Sequence, residues 1–94
     1  MKKLFAFAAA ALLSSVAFAD GEATYNQTCV TCHAAGVAGA PKAHNADDWA
    51  PRLTVGIDAL VASAIAGKGA MPPKGLCMAC TDAELKAAIE FMSK

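Results

Sequence analysis

The sequence contains no alternation of apolar and polar residues long enough to read as a strand, and no cluster of lysine and arginine. The first absence argues against a sheet, because a half-buried strand shows a period of two. The second argues against a nucleic-acid partner, whose phosphates demand grouped cations. Nor is there an apolar run of the roughly 20 residues that a helix needs to cross a bilayer. The candidate, from Leu4 to Ala19, is uncharged but only 16 residues long. Repeats, linkers and low-complexity tails are missing too, so the chain is expected to form one domain.

That short run has its own meaning. Lys2 and Lys3 precede it, and it ends in Ala17-Phe18-Ala19, small residues flanking a larger one. This is the layout of a secretory signal cleaved after Ala19. Residues 1–19 are therefore expected to be removed and residues 20–94 to form the mature domain, with no stable membrane insertion afterwards. The mature part carries six basic and eight acidic residues, a formal charge of −2. A domain of 75 residues usually needs a disulfide, a metal or a cofactor to supplement its core. All four cysteines lie in this exported part, where thiols are either oxidised or used as ligands.

The alanine-rich mature chain is expected to be all-helical, alanine being the best helix former. Asp20 can cap a first helix running towards Cys29, and Asn45 a short one carrying Asp47, Asp48, Trp49 and Arg52. Ile57, Leu60, Val61, Ala64 and Ile65 make one apolar stripe, ended by Gly67 and Gly69. Thr81 and Glu84 form a capping box, followed by a second stripe of Leu85, Ala88, Ile89 and Met92.

Within CVTCH, residues 29–33, the spacing of Cys29, Cys32 and His33 puts all three side chains on one face of a helical turn. Two sulfurs and a nitrogen then converge on one object. A haem suits them: its vinyl groups take thioether bonds from the cysteines and its iron takes the imidazole, and Cys-x-x-Cys-His is the c-type attachment signature. Other readings meet obstacles. A thioredoxin-like dithiol wants a βαβ context. A zinc site built from both Cys-x-x-Cys pairs leaves His33 idle and spans 44 residues between Cys32 and Cys77. A pair of plain disulfides also leaves the histidine unexplained.

The second axial ligand decides what such a haem does, since an iron with no open position mostly moves electrons. Met71, in GAMPPKG, is pushed into extended backbone by the following proline and is the candidate sulfur ligand. His44 is the competitor, but it lies close to His33 along the chain and is expected to be an exposed loop residue. Met78 and Met92 read as packing residues.

Taken together, CVTCH, GAPK, DDWAPRL and GKGAMPPKG followed by CMAC resemble the small class I cytochromes c of bacteria, and most nearly the cytochrome c-five group. The resemblance spans the mature chain. It implies an all-α fold of three to five helices around one haem c, covalently bound through Cys29 and Cys32, with the first and last helices crossing beside it. It implies that the Pro41 carbonyl receives the Nδ1 hydrogen of His33, that Trp49 and Arg52 point at a haem propionate, and that Cys77 and Cys80 form a disulfide. A second haem is excluded because Thr81, not histidine, follows Cys80. The function implied is a one-electron carrier rather than an enzyme, with His33 and Met71 as axial ligands. It is expected to be a monomer in the periplasm of a Gram-negative bacterium, exchanging electrons with a respiratory complex, an oxidase or a periplasmic reductase. Contact would be made through a small apolar rim of Ala34, Ala35, Val37 and the Met71-Pro72 segment.

Overall fold

The computed structural model describes residues 20–94; the signal expected at residues 1–19 lies outside the described residues. The carboxylate of Asp20, the first described residue, accepts the Ala23 N–H at 3.2 Å and caps α1, Gly21–Thr24. The helix continues unbroken through a π-turn, Tyr25–Cys29, closed by the Val30 N–H on the Tyr25 carbonyl, and resumes as α2, Val30–His33. After a loop containing one 3₁₀ turn, Val37–Gly39, α3 spans Ala46–Leu53 and α4 spans Ile57–Ala66. Asn45 caps α3 by accepting the Asp48 N–H at 3.0 Å. A second 3₁₀ turn, Pro73–Leu76, leads to α5, Asp82–Met92. No strand occurs among the described residues, apart from one isolated bridge between Lys68 and Met71.

Both apolar stripes lie where their spacing put them. Leu85, Ala88, Ile89 and Met92 of α5 are all buried, and Val61 and Ala64 of α4 are buried with Ile57, Leu60 and Ile65 packed around them. At about 1.5–3 kcal/mol for each large side chain fully removed from water, this seam is the main source of cohesion. Tyr25, Cys29 and Trp49 join it from the other side. Met78 does not pack as expected. It is 66% exposed, because the turn that buries Cys77 and Cys80 on Leu85 and Ile65 turns the intervening residue outward.

α1 and α5 cross in close contact, and the contact is made at Gly21. A Cβ there would collide with the Ala87 carbonyl oxygen, lie 2.8 Å from its carbon and 3.0 Å from Phe91 Cβ. One turn further on, the Tyr25 ring packs against Phe91 at 5.4 Å between centroids. His44, at φ 65°, joins the same end: its N–H donates to the Met92 carbonyl at 2.6 Å and its ring meets Phe91 edge-on at 4.7 Å.

At the start of α5 the capping box is complete. Thr81 Oγ1 accepts the Glu84 N–H at 3.1 Å and the Glu84 carboxylate accepts the Thr81 N–H at 2.8 Å. That backbone hydrogen bond, helped by the threonine hydroxyl, holds the Glu84 carboxyl below the usual glutamate range. A depressed carboxylate contributes stability that is present above its unfolded pKa and is lost as pH falls through its folded one. Glu84→Gln is therefore expected to be less stable than the parent at neutral pH, with the gap closing in acid, as thermal unfolding across a pH series will show. Gly21→Val forces α1 away from α5 and should cost about 1–3 kcal/mol, read from the urea midpoint.

Candidate functional site

The π-turn decides what the end of the first helical segment presents. One additional residue in a turn shifts everything after it by one position, about 100° of helix face. Gly21 and Tyr25 thus pack on α5, while Cys29, Cys32 and His33 follow at i, i+3 and i+4 from the end of the π-turn into α2. Cys29 and His33 are buried and Cys32 is half-buried, and both thiols are free. Burial pushes the Cys29 thiol up, so it is held neutral. Beside it, the Thr28 hydroxyl oxygen is buried without a hydrogen-bond partner.

Two bonds fix His33. Its Nδ1 lies 2.8 Å from the Pro41 carbonyl, to which it donates, and its own carbonyl accepts the Ala43 N–H at 2.8 Å. With Nδ1 so used, Nε2 is the nitrogen left to coordinate. The indole of Trp49 stacks beside the imidazole, 6.1 Å between centroids at 22°.

In this structure the Trp49 indole N–H donates to the Lys42 carbonyl at 2.8 Å, which turns it to the loop. The reason is local: Lys42 N–H is pinned at 3.0 Å to the Asp48 carboxylate, which brings its carbonyl over α3 within reach of the indole. Pro41, Lys42 and Ala43 are in this way strapped to both α2 and α3. Arg52 uses one guanidinium nitrogen on the Asp48 carbonyl at 2.6 Å. With Val55, Ala59, Leu60, Ser63 and Lys68 it also lines a cavity of about 560 Å³.

Met71 approaches from the other side of the sequence. Its N–H donates to the Lys68 carbonyl at 2.9 Å and its carbonyl accepts the Lys68 N–H at 3.0 Å, which closes a tight loop around Gly69. The half-buried side chain packs against the cluster holding Cys29 and Trp49. Three residues in succession then take left-handed backbone, Lys74 at φ 57°, Gly75 at 56° and Leu76 at 70°, and turn the chain into Cys77. Cys77 and Cys80 are joined as a disulfide, 5.4 Å between Cα atoms, with Gln27 Oε1 of the π-turn 3.4 Å from Cys77 Sγ. His44 Nδ1 sits 3.1 Å from the Lys94 carbonyl, which places its ring at the end of α5.

This donor set suits a haem. Two free thiols and an imidazole share one turn, and a thioether borders the same cluster. A zinc site of four cysteines does not assemble. Among the described residues no three His, Cys, Asp or Glu side chains are placed to hold a metal ion, and the Cys77–Cys80 pair is already bonded to itself. Sequence reasoning missed the π-turn, which no residue pattern announces. It also missed the pairing of Lys68 with Met71, for which Gly67 and Gly69 were the available signal.

The family model described as cytochrome C oxidase, cbb3-type, subunit III, matches residues 16–92. The chain is 44% identical to cytochrome c-555 of Chlorobaculum tepidum over 92 residues, covering 89% of this chain and 85% of that one. In fold it is similar to a mono-haem ferrocytochrome c from Shewanella putrefaciens, with a TM-score of 0.72 and 61% identity over 80% of this chain and 93% of that one. It is similar as well to a chain in the crystal structure of an electron transfer complex of nitrite reductase with cytochrome c, with a TM-score of 0.73 and 51% identity over 78% and 89% of the two chains.

The strap over His33 can be tested apart from any cofactor chemistry. Trp49→Phe keeps the ring and removes the donor to the Lys42 carbonyl; the unfolding free energy is expected to fall by about 1–2 kcal/mol in denaturant titrations.

Proposed function

Since the chain belongs to the cytochrome c family, among small bacterial electron carriers with one covalently bound haem c, we propose that it is an exported one-electron shuttle of the periplasm with His33 and Met71 as axial ligands. When bound, the haem supplies an iron that alternates between ferrous and ferric states. Everything else is the work of the protein's own residues. Cys29 and Cys32 anchor the group from one turn. His33 offers Nε2 because Pro41 has taken the other ring nitrogen, and this 2.8 Å bond is the observation that carries the reading. Met71 supplies the sulfur from a backbone held at both its N–H and its carbonyl.

Two protein ligands leave no position for a substrate or gas, which is why the reading is a carrier and not an enzyme. A thioether ligand and a buried site favour the less charged, reduced state. The disulfide fastens the Met71 loop to the start of α5. The chain-entropy value of so small a ring is only roughly 2 kcal/mol, so its main use is positional. Arg52 remains the candidate partner for a propionate, through the guanidinium nitrogens not spent on Asp48.

The partner class proposed is a redox protein that meets the molecule briefly. Val37, 50% exposed, stands with exposed Ala34 and Ala35 just beyond Cys32 and His33. Small apolar rims of this kind fit the low-area contacts of electron-transfer encounters. The fold likeness to a cytochrome in complex with nitrite reductase favours a periplasmic reductase among the candidates.

The test is Met71→Ala. The haem is expected to stay attached through Cys29 and Cys32, while the reduced protein, inert to carbon monoxide in the parent, binds it rapidly. The sulfur-to-iron charge-transfer band of the oxidised protein should vanish with it. A variant whose spectrum matches the parent's removes Met71 from the ligand set.

A further inference from the structure

The π-turn and the disulfide, 50 residues apart along the chain, meet at one side chain. Gln27, inside the π-turn, brings its amide to both sulfurs, with Oε1 3.4 Å from Cys77 Sγ and 3.9 Å from Cys80 Sγ. Among the described residues no other polar side-chain contact joins the first helical segment, residues 21–33, to residues 57–94. A disulfide sulfur has no hydrogen, so in a bond with the amide it accepts. The end of the amide that serves it is the Nε2–H, which a half-turn of the amide exchanges with the oxygen. Gln27 is exposed, while Cys77 and Cys80 are each 4% exposed, so a surface side chain reaches onto a buried bond.

The disulfide ends an arm that carries Met71. Lys68 and Met71 exchange both backbone bonds, the Gly75 N–H donates to the Pro72 carbonyl at 2.9 Å, and the Cys77 N–H donates to the Lys74 carbonyl at 3.0 Å. The Cys80 N–H returns to the Cys77 carbonyl at 3.0 Å, and Lys74 Nζ donates to the Cys80 carbonyl at 3.3 Å. A Cβ on Gly75 would stand 3.4 Å from Met71 Cε, so the turn lies against the end of the thioether. A segment tied at each successive turn moves as one piece, and fixing its disulfide end fixes where Met71 stands.

We infer that Gln27 is a positioning residue for the axial sulfur: by holding the disulfide against the π-turn, it keeps the Met71 loop in register with the turn that carries Cys29, Cys32 and His33. This rests on the axial-ligand reading above and extends it to a residue outside the ligand set. An outside ligand takes the iron only when the Met71 loop moves away. Any contact made only with the loop in place therefore weakens that ligand by the same factor.

The experiment is an imidazole titration of the oxidised, haem-loaded protein at fixed pH, followed by loss of the sulfur-to-iron charge-transfer band. Gln27→Leu removes both polar ends at similar size, Gln27→Glu leaves acceptors without a donor, and Gln27→Lys restores a donor. Imidazole is expected to bind about threefold or more tightly to the Leu and Glu variants, and with the parent's affinity to the Lys variant. In Cys77→Ala/Cys80→Ala its affinity is already raised, and adding Gln27→Leu raises it no further. Thermal unfolding is recorded for each variant. Parent-like imidazole affinity in the Leu and Glu variants overturns the inference, and a lowered unfolding midpoint beside it leaves Gln27 a merely structural role. So does a Lys variant that behaves like the Leu one, or an undiminished effect of Gln27→Leu without the disulfide. The single variants decide the matter on their own if the disulfide-free protein does not fold. Failure of the underlying reading looks different: a parent protein without a Soret band has no haem, and one without the charge-transfer band has no Met71 ligand for imidazole to displace.

Discussion

The approach of α1 to α5 at Gly21 is the constraint from which the rest of the architecture follows. With no side chain at that position, the Ala87 carbonyl sits where a Cβ would stand, and the two ends of the described chain are locked face to face. Everything between them must then leave and return within the 65 residues from Glu22 to Lys86. The return path is α4, the Met71 loop and the disulfide, which brings Met71 back to the cluster that contains Cys29. A chain of this size has little core to spend, so a backbone-to-backbone crossing that wastes no volume is worth more here than in a large domain.

Around His33 the same economy appears in polar form. Pro41, Lys42 and Ala43 contribute backbone groups to the imidazole, the indole and the His33 carbonyl within three consecutive residues. A loop rich in glycine and alanine has few side chains with which to hold a ligand, and the main chain does the holding. Trp49 belongs to this strap. Its buried ring backs the imidazole and its N–H ties down the loop, so the tryptophan acts on the site through His33.

The helices were legible because their signals are local: Asp20, Asn45 and Thr81 cap where caps were expected, and the stripes of α4 and α5 are buried. Cys29, Cys32 and His33 were legible because their spacing is itself the chemistry. Other features depend on contacts distant in sequence. The destination of the Trp49 N–H depends on where Asp48 pulls Lys42, and the exposure of Met78 on which way the disulfide turn faces.

The π-turn at Tyr25–Cys29 has a consequence for how this molecule can evolve. Deleting one residue there would let the segment relax into an ordinary α-helix, a gain in local regularity. It would also turn Cys29, Cys32 and His33 by about 100° relative to Gly21 and Tyr25. A change of length in this turn would therefore alter the angle between the two faces, which a substitution leaves in place.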